Sequence, residues 1–303
     1  MKRPVTDLAA SVRARLLAMA TPKTNEFQDL LARYARERLL YRLSKSEWHG
    51  QFVLKGAALF VVWSRVPHRS TRDLDLLGFM LPDPRRLEEM FRAICRQDVE
   101  PDGLVFLEDS VQTRKIREEE EYQGIRVTLS AMLKRTRIAV QVDIGTGDKV
   151  VPPPEDITYP TLLAFPAPQL RAYSRYTVVA EKFEAMAELA MANSRMRDYY
   201  DIWSLTRSFD FDGDTLRSAV EATFERRRIV LSETVPVGLS DDLAGSAEKQ
   251  AQWQGFLHKS VPAENTVSLR EVVEGIRAFL EPVLSGSARG RVWRPGTGWQ
   301  RKD

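Results

Sequence analysis

The sequence predicts an α+β fold, with a mixed β-sheet domain and flanking helices followed by a helical C-terminal domain. Three observations predict it. Between residues 52 and 144, apolar runs of strand length alternate with helical patterns. A Pro-rich stretch, from Val151-Pro152-Pro153-Pro154 to Pro168, then interrupts the chain. From about residue 176 onward, the apolar positions recur at helical spacing. A length of 303 residues suits two domains, and a 43% hydrophobic composition supplies a sizeable core.

The elements follow in order. Leu8, Val12, Leu16 and Met19 mark a helix over 7–20. Phe27, Leu30, Leu31, Tyr34, Leu39 and Leu40 mark a second over 26–43, decorated by Arg33, Arg36, Arg38 and Arg42. Such a charge run is more often a solvated face than an RNA-binding one. Phe52-Val53-Leu54 reads as a strand that breaks at Lys55-Gly56 and turns helical through Ala57–Trp63. Leu74–Leu77 is a strand, 83–96 an amphipathic helix opened by Asp83-Pro84, and 104–108 a short strand. Residues 112–118 and 125–133 read as strands joined through Gln123-Gly124, and Ile138–Ile144 as a further strand. Beyond the Pro-rich stretch, helices are predicted at about 176–192, 197–207, 213–227, 247–260 and 268–284, with a mixed loop over 229–246. The domain limits expected are 1–50 for helices packing on the core, 51–165 for the sheet domain and 166–284 for the helical domain. A flexible basic tail is expected over 285–303.

Composition removes several classes. One cysteine, Cys95, excludes an internal disulfide and a Cys-rich zinc site. His49, His68 and His258 are too far apart in sequence to form a paired metal motif. No apolar run approaches the roughly 20 residues of a membrane span, and Asp7 arrives before any apolar stretch, unlike a secretory signal. A cytoplasmic protein with no membrane partner is therefore expected. The formal net charge of +3, from 45 basic against 42 acidic side chains, decides nothing about nucleic acid.

The strongest local motif is Arg69-Ser70-Thr71-Arg72-Asp73-Leu74-Asp75. On a strand, Asp73 and Asp75 share a face, with Cα atoms about 6.6 Å apart. Two adjacent carboxylates each raise the other's pKa unless a cation lies between them, and this spacing suits a divalent ion or an ion pair. An isolated Asp-x-Asp is more often a solvated strand end. Here Gly56 lies upstream in a strand–glycine–helix arrangement that offers backbone N–H groups to a phosphate, and basic residues crowd the approach. Asp143, the one acid of the strand Ile138–Ile144, is a third candidate ligand, with a cap on Gly145-Thr146-Gly147 as the alternative. Further on, Lys182 borders a helix core, either as a snorkelling edge residue or as a triphosphate contact. Asp198 and Asp201 share a face of the next helix, able to pair with Arg195 or Arg197, orient Lys182, or bind substrate or metal.

Taken in order, Leu54-Lys55-Gly56, Arg69-x-Thr71-x-Asp73-x-Asp75, Val142-Asp143-Ile144, Glu181-Lys182 and Arg197-Asp198-x-x-Asp201 resemble the AbiEii/AbiGii toxin family of nucleotidyltransferases. That family lies in the DNA polymerase β-like superfamily and includes the MenT toxins. The resemblance covers about residues 50–205. It implies a nucleotidyltransferase-type sheet domain, a helical C-terminal domain and an active site in the cleft between them. Residue by residue, it makes Asp73 and Asp75 the catalytic, metal-binding pair, joined by Asp143 as a ligand. It places Lys55, Gly56, Ala57, Arg69, Thr71 and Lys182 on the nucleotide, and makes Asp201 or Asp198 the later essential acid. Gly56-Ala57-Ala58 stands where many members have Gly-Gly-Ser or Gly-Gly-Thr, so a hydroxyl contact to phosphate is missing. The implied function is a bacterial toxin that moves NMP from NTP to an RNA acceptor, the tRNA 3′ end, with Mg²⁺ or Mn²⁺, neutralised by a cognate antitoxin encoded nearby. A protein acceptor and a nucleotide-binding module without turnover are the competing functions.

Overall fold

The computed structural model describes residues 7–20, 26–64, 73–79, 83–116, 124–262 and 265–302. The chain divides into two compact units. The first comprises residues 1–147 and 155–172, the second residues 148–154 and 173–303.

The first unit begins with α1 (Leu8–Met19), started by the Asp7 carboxylate, which accepts from the Ala10 N–H. It continues with α2 (Glu26–Lys45), β1 (Phe52–Lys55), α3 (Leu59–Ser64), β2 (Leu74–Gly78) and α4 (Pro84–Arg96). Asp83 caps α4 and Pro84 takes the first turn, where its missing N–H costs nothing. The remaining strands are β3 (Leu104–Ile116), β4 (Gly124–Leu133), β5 (Thr136–Thr146), β6 (Glu155–Thr158) and β7 (Gln169–Ala172). Among the described residues they form one mixed sheet, ordered β3-β4-β5-β2-β1-β7-β6, in which β2 runs parallel to β5 and antiparallel to β1. Strict alternation explains its two faces. Ile125, Val127, Leu129, Ala131 and Leu133 of β4 are buried beside Ile138, Val140, Val142 and Ile144 of β5. The intervening Arg126, Thr128, Gln141 and Asp143 point to the opposite face.

Three features of this unit differ from the sequence reading. The strands expected at 104–108 and 112–118 are one strand, β3, with a register shift between Leu107 and Gln112. The Pro-rich stretch contains β6 and leads directly into β7, and the two complete the sheet beside β1. The arginines of α2 are not a solvated or RNA-facing stripe, because Arg36, Arg38 and Arg42 are buried. Arg42 forms a bidentate pair with Asp102 at 2.6 and 3.2 Å, and Arg38 donates to the Pro166 carbonyl at 2.7 Å. Buried cations persist only when paired in this way, and the partners lie 60 and 128 residues away in sequence.

The second unit contains α5 (Arg175–Leu189), α6 (Met196–Ser208), β8 (Phe211–Asp212), α7 (Gly213–Arg227), α8 (Asp241–Gly245), α9 (Ala247–Ser260) and α10 (Leu269–Leu284). Ser174, Asp212, Ser240, Ser246 and Ser268 cap the starts of α5, α7, α8, α9 and α10. The expected flexible tail is instead a hairpin, β9 (Arg291–Arg294) and β10 (Gly298–Arg301), which extends β8 into a three-stranded sheet. Trp299 stacks on Phe279 with centroids 5.8 Å apart, and Trp293 meets the same ring edge-on. Both indole N–H groups donate to backbone carbonyls, of Phe279 and Thr206. Those rings therefore serve packing. Among the described residues, no helix is long and apolar enough to cross a membrane.

Candidate active site

In the first unit, β1 ends at Lys55 and the chain turns sharply at Gly56, whose φ is +71°. A side chain there would lie 2.1 Å from Asp75 Oδ2 and 2.9 Å from Asp75 Cβ. Only glycine tolerates both the left-handed backbone and that approach. The Asp75 carboxylate thus sits directly over the turn that Lys55, Gly56 and Ala57 form.

Register places the other groups. Asp75 lies opposite Lys55 on one side and Asp143 on the other, and Asp143 lies opposite Arg126 on β4. One row across the sheet therefore reads Lys55, Asp75, Asp143, Arg126, with neighbouring strands about 4.8 Å apart. Arg126 was not among the sequence candidates. Its Nε and Nη2 donate to the two oxygens of Asp143 at 2.8 and 2.7 Å. The hydrogen bonds that Arg126 donates to Asp143, and then the charges of Asp143, Asp73 and Asp75, raise the pKa of Arg126 above its ordinary value. Asp73 precedes β2 and also acts electrostatically on Arg36 of α2, whose own pKa is lowered mainly by burial. Arg69 and Thr71 lie outside the described residues.

The residues present suit a hard divalent ion. Asp73 and Asp75 are half-buried oxygen donors, and Mg²⁺ is commonly held by one or two carboxylates together with substrate phosphates. Among the described residues, no group of three or more His, Cys, Asp or Glu side chains converges on an ion-sized point. Asp143, expected as a third ligand, lies in register beside Asp75 and accepts the Arg126 guanidinium on both oxygens.

The second unit gathers the remaining candidates. Lys182, on α5, places its ammonium 2.5 Å from Asp198 Oδ1 and 2.9 Å from Asp201 Oδ2, both carried by α6. The three-residue spacing on α6 aims the two carboxylates at one cation. Arg195, at the start of α6, completes the group with Nε 2.7 Å from Asp198 Oδ2. Exposure separates the members, with Lys182 at 11%, Asp198 at 1% and Asp201 at 0%. Nearby on α5, Glu184 is buried, and burial pushes its carboxyl up to about 7. Sequence offered no signal for Glu184, because its burial depends on how α5 packs against α7.

A family model matches residues 38–281, more than half of the chain, and is described as the nucleotidyl transferase AbiEii toxin of a type IV toxin–antitoxin system. The chain belongs to the AbiEii family. It is a nucleotidyltransferase of that toxin–antitoxin class. Among solved structures, JHP933 from Helicobacter pylori is similar at 12% identity, over 86% of this chain and 93% of that one, with a TM-score of 0.50. The likeness supports the α+β fold. A second H. pylori chain, described as a proposed nucleotidyltransferase, is 11% identical over 86% of this chain and 96% of its own, with a TM-score of 0.47. No curated protein matches this AbiEii member.

Proposed function

We propose that this AbiEii-family chain is a cytoplasmic toxin that transfers a nucleoside monophosphate from an NTP to an RNA acceptor, the 3′ end of tRNA. A cognate antitoxin encoded nearby neutralises it. The observation that carries this reading is the Asp73–Asp75 pair seated over the Gly56 turn, with Asp75 too close to the turn for any other residue at 56.

In the proposed reaction the acceptor hydroxyl oxygen attacks the α-phosphorus and its proton passes to solvent. A new P–O bond forms, the bond to the bridging oxygen of the β-phosphate breaks, and pyrophosphate leaves with that electron pair. Asp73 and Asp75 hold Mg²⁺ or Mn²⁺, which supplies charge neutralisation on the phosphate oxygens. Lys55, Gly56 and Ala57 line the phosphate turn, and Arg69 and Thr71 belong to the same motif. Lys182 contributes its ammonium to the triphosphate. Asp198 and Asp201 act through Lys182 as positioning residues, because each is fully buried and bonded to that ammonium. Most of the rate comes from positioning and electrostatics, as is usual for phosphoryl chemistry.

The test incubates the protein with each α-labelled NTP, bulk tRNA and Mg²⁺. Label enters RNA with the wild type and falls at least 100-fold with Asp75→Ala. Labelled protein bands with unlabelled RNA would move the acceptor to protein. Tight NTP binding with no labelled product of any kind would make the chain a binding module.

A further inference from the structure

Two-metal phosphoryl transfer needs carboxylates that bridge ions about 3.5–4 Å apart. On this sheet the natural third carboxylate is Asp143, the registered neighbour of Asp75 on β5. Its two oxygens are taken, side-on, by Nε and Nη2 of Arg126 at 2.8 and 2.7 Å. That fork-to-carboxylate geometry is the strongest ordinary pairing available to an arginine. Both side chains are only about one-fifth exposed, at 22% and 20%, so opening the pair would leave two poorly solvated charges apart. The cross-sheet row Lys55, Asp75, Asp143, Arg126 also contains two cations and two anions, so it is balanced without a second ion.

We propose that Arg126, fixed by Asp143, is the built-in second cation of this site, so that the enzyme works with a single divalent ion held by Asp73 and Asp75. This rests on the nucleotidyltransfer reading above and deepens it. Asp143 is then the positioning residue, and Arg126 is the catalytic residue beside the ion. The Nη1 group, which takes no part in the fork to Asp143, keeps its donors for an oxygen of the reacting phosphates.

Ion stoichiometry tests this independently of turnover. The full chain is brought to equilibrium dialysis against radioactive Mn²⁺ with the four α,β-methylene nucleoside triphosphates, which cannot be cleaved at the α-phosphate. The wild type binds one Mn²⁺ per chain, and Asp75→Asn binds none. Arg126→Met, which releases Asp143, binds a second ion, and the double variant Arg126→Met/Asp143→Asn returns to one. Should Arg126→Met fail to fold, Arg126→Lys keeps the charge without the fork and holds the count at one. Two ions on the wild type, falling to one in Asp143→Asn, would overturn the inference. The same preparations enter the labelled-NTP assay. Transfer to RNA by a wild type that binds two ions defeats only the role of Arg126. One bound ion with no transfer to RNA defeats the functional reading instead.

Discussion

Replacing Gly56 by alanine tests the seat of the carboxylate pair with a single methyl group. The left-handed backbone at Gly56, φ +71°, costs a residue with a Cβ about 1–2 kcal/mol. The new atom would also lie 2.1, 2.8 and 2.9 Å from Oδ2, Cγ and Cβ of Asp75. The clash reaches the base of that side chain, so a small tilt of its tip cannot relieve it. Asp75 must leave its rotamer, for about another 1 kcal/mol. The total, roughly 2–3 kcal/mol, lowers the melting temperature of the sheet unit by about 5–10 °C. Activity suffers far more, because moving a reacting group by about 1 Å can cost 100-fold. Calorimetry and labelled-NTP transfer, measured together below the lowered transition, separate the two effects. Ala57→Gly is the control, since it leaves Gly56 and Asp75 as they are. A Gly56→Ala protein that melts early yet keeps transfer within threefold of wild type would refute the argument that this turn positions Asp75.

Two further outcomes follow from the helical unit. Lys182→Met leaves Asp198 and Asp201 facing each other in the interior, and stranding buried charges in this way costs about 3–5 kcal/mol. The helical unit then melts markedly earlier, whereas Lys182→Arg keeps a cation and most of the stability; equal melting of the two variants by calorimetry would contradict the triad. Glu184 supplies a pH dependence, since burial raises its folded carboxyl from 4.5 to about 7. The folded state then holds a proton that the unfolded state has released. Stability is greatest below about 4.5 and is lost as pH rises toward 7, by roughly 1–3 kcal/mol. Glu184→Gln flattens that decline in a melting series from pH 5 to 8; an unchanged slope would remove Glu184 as its source.

How much was legible depended on whether partners were near in sequence. The period-2 alternation of Ile125–Leu133 and Ile138–Ile144 disclosed β4, β5 and their buried face directly. The same hairpin also held the signal for Arg126. Once the two-residue turn Lys134-Arg135 is fixed, register alone sets Arg126 opposite Asp143. The arginines of α2 were not readable, because Asp102 and the Pro166 carbonyl reach them only through the tertiary fold. The tail misled for the opposite reason. Glycines and charges give 285–303 the composition of a linker, yet Trp293 and Trp299 find Phe279 of α10 and bring the hairpin onto it.

Burial, more than residue type, separates the roles of the five candidate aspartates. Asp198 and Asp201 are closed off from solvent and bonded to an ammonium, so any ion or phosphate reaches them only through Lys182. Asp73 and Asp75 are half-buried, and under the proposed function they would hold a cation that arrives with each nucleotide and departs with pyrophosphate. Asp143 has similar exposure but a committed partner. A carboxylate that exchanges its cation every turnover cannot also be locked in a bidentate arginine fork, because opening the fork would add its cost to each cycle. Under the proposed function, the exchanging pair and the anchoring acid would therefore be different residues. Asp198, Asp201 and Asp143 each have a cation built in, from Lys182 and Arg195 in one unit and Arg126 in the other.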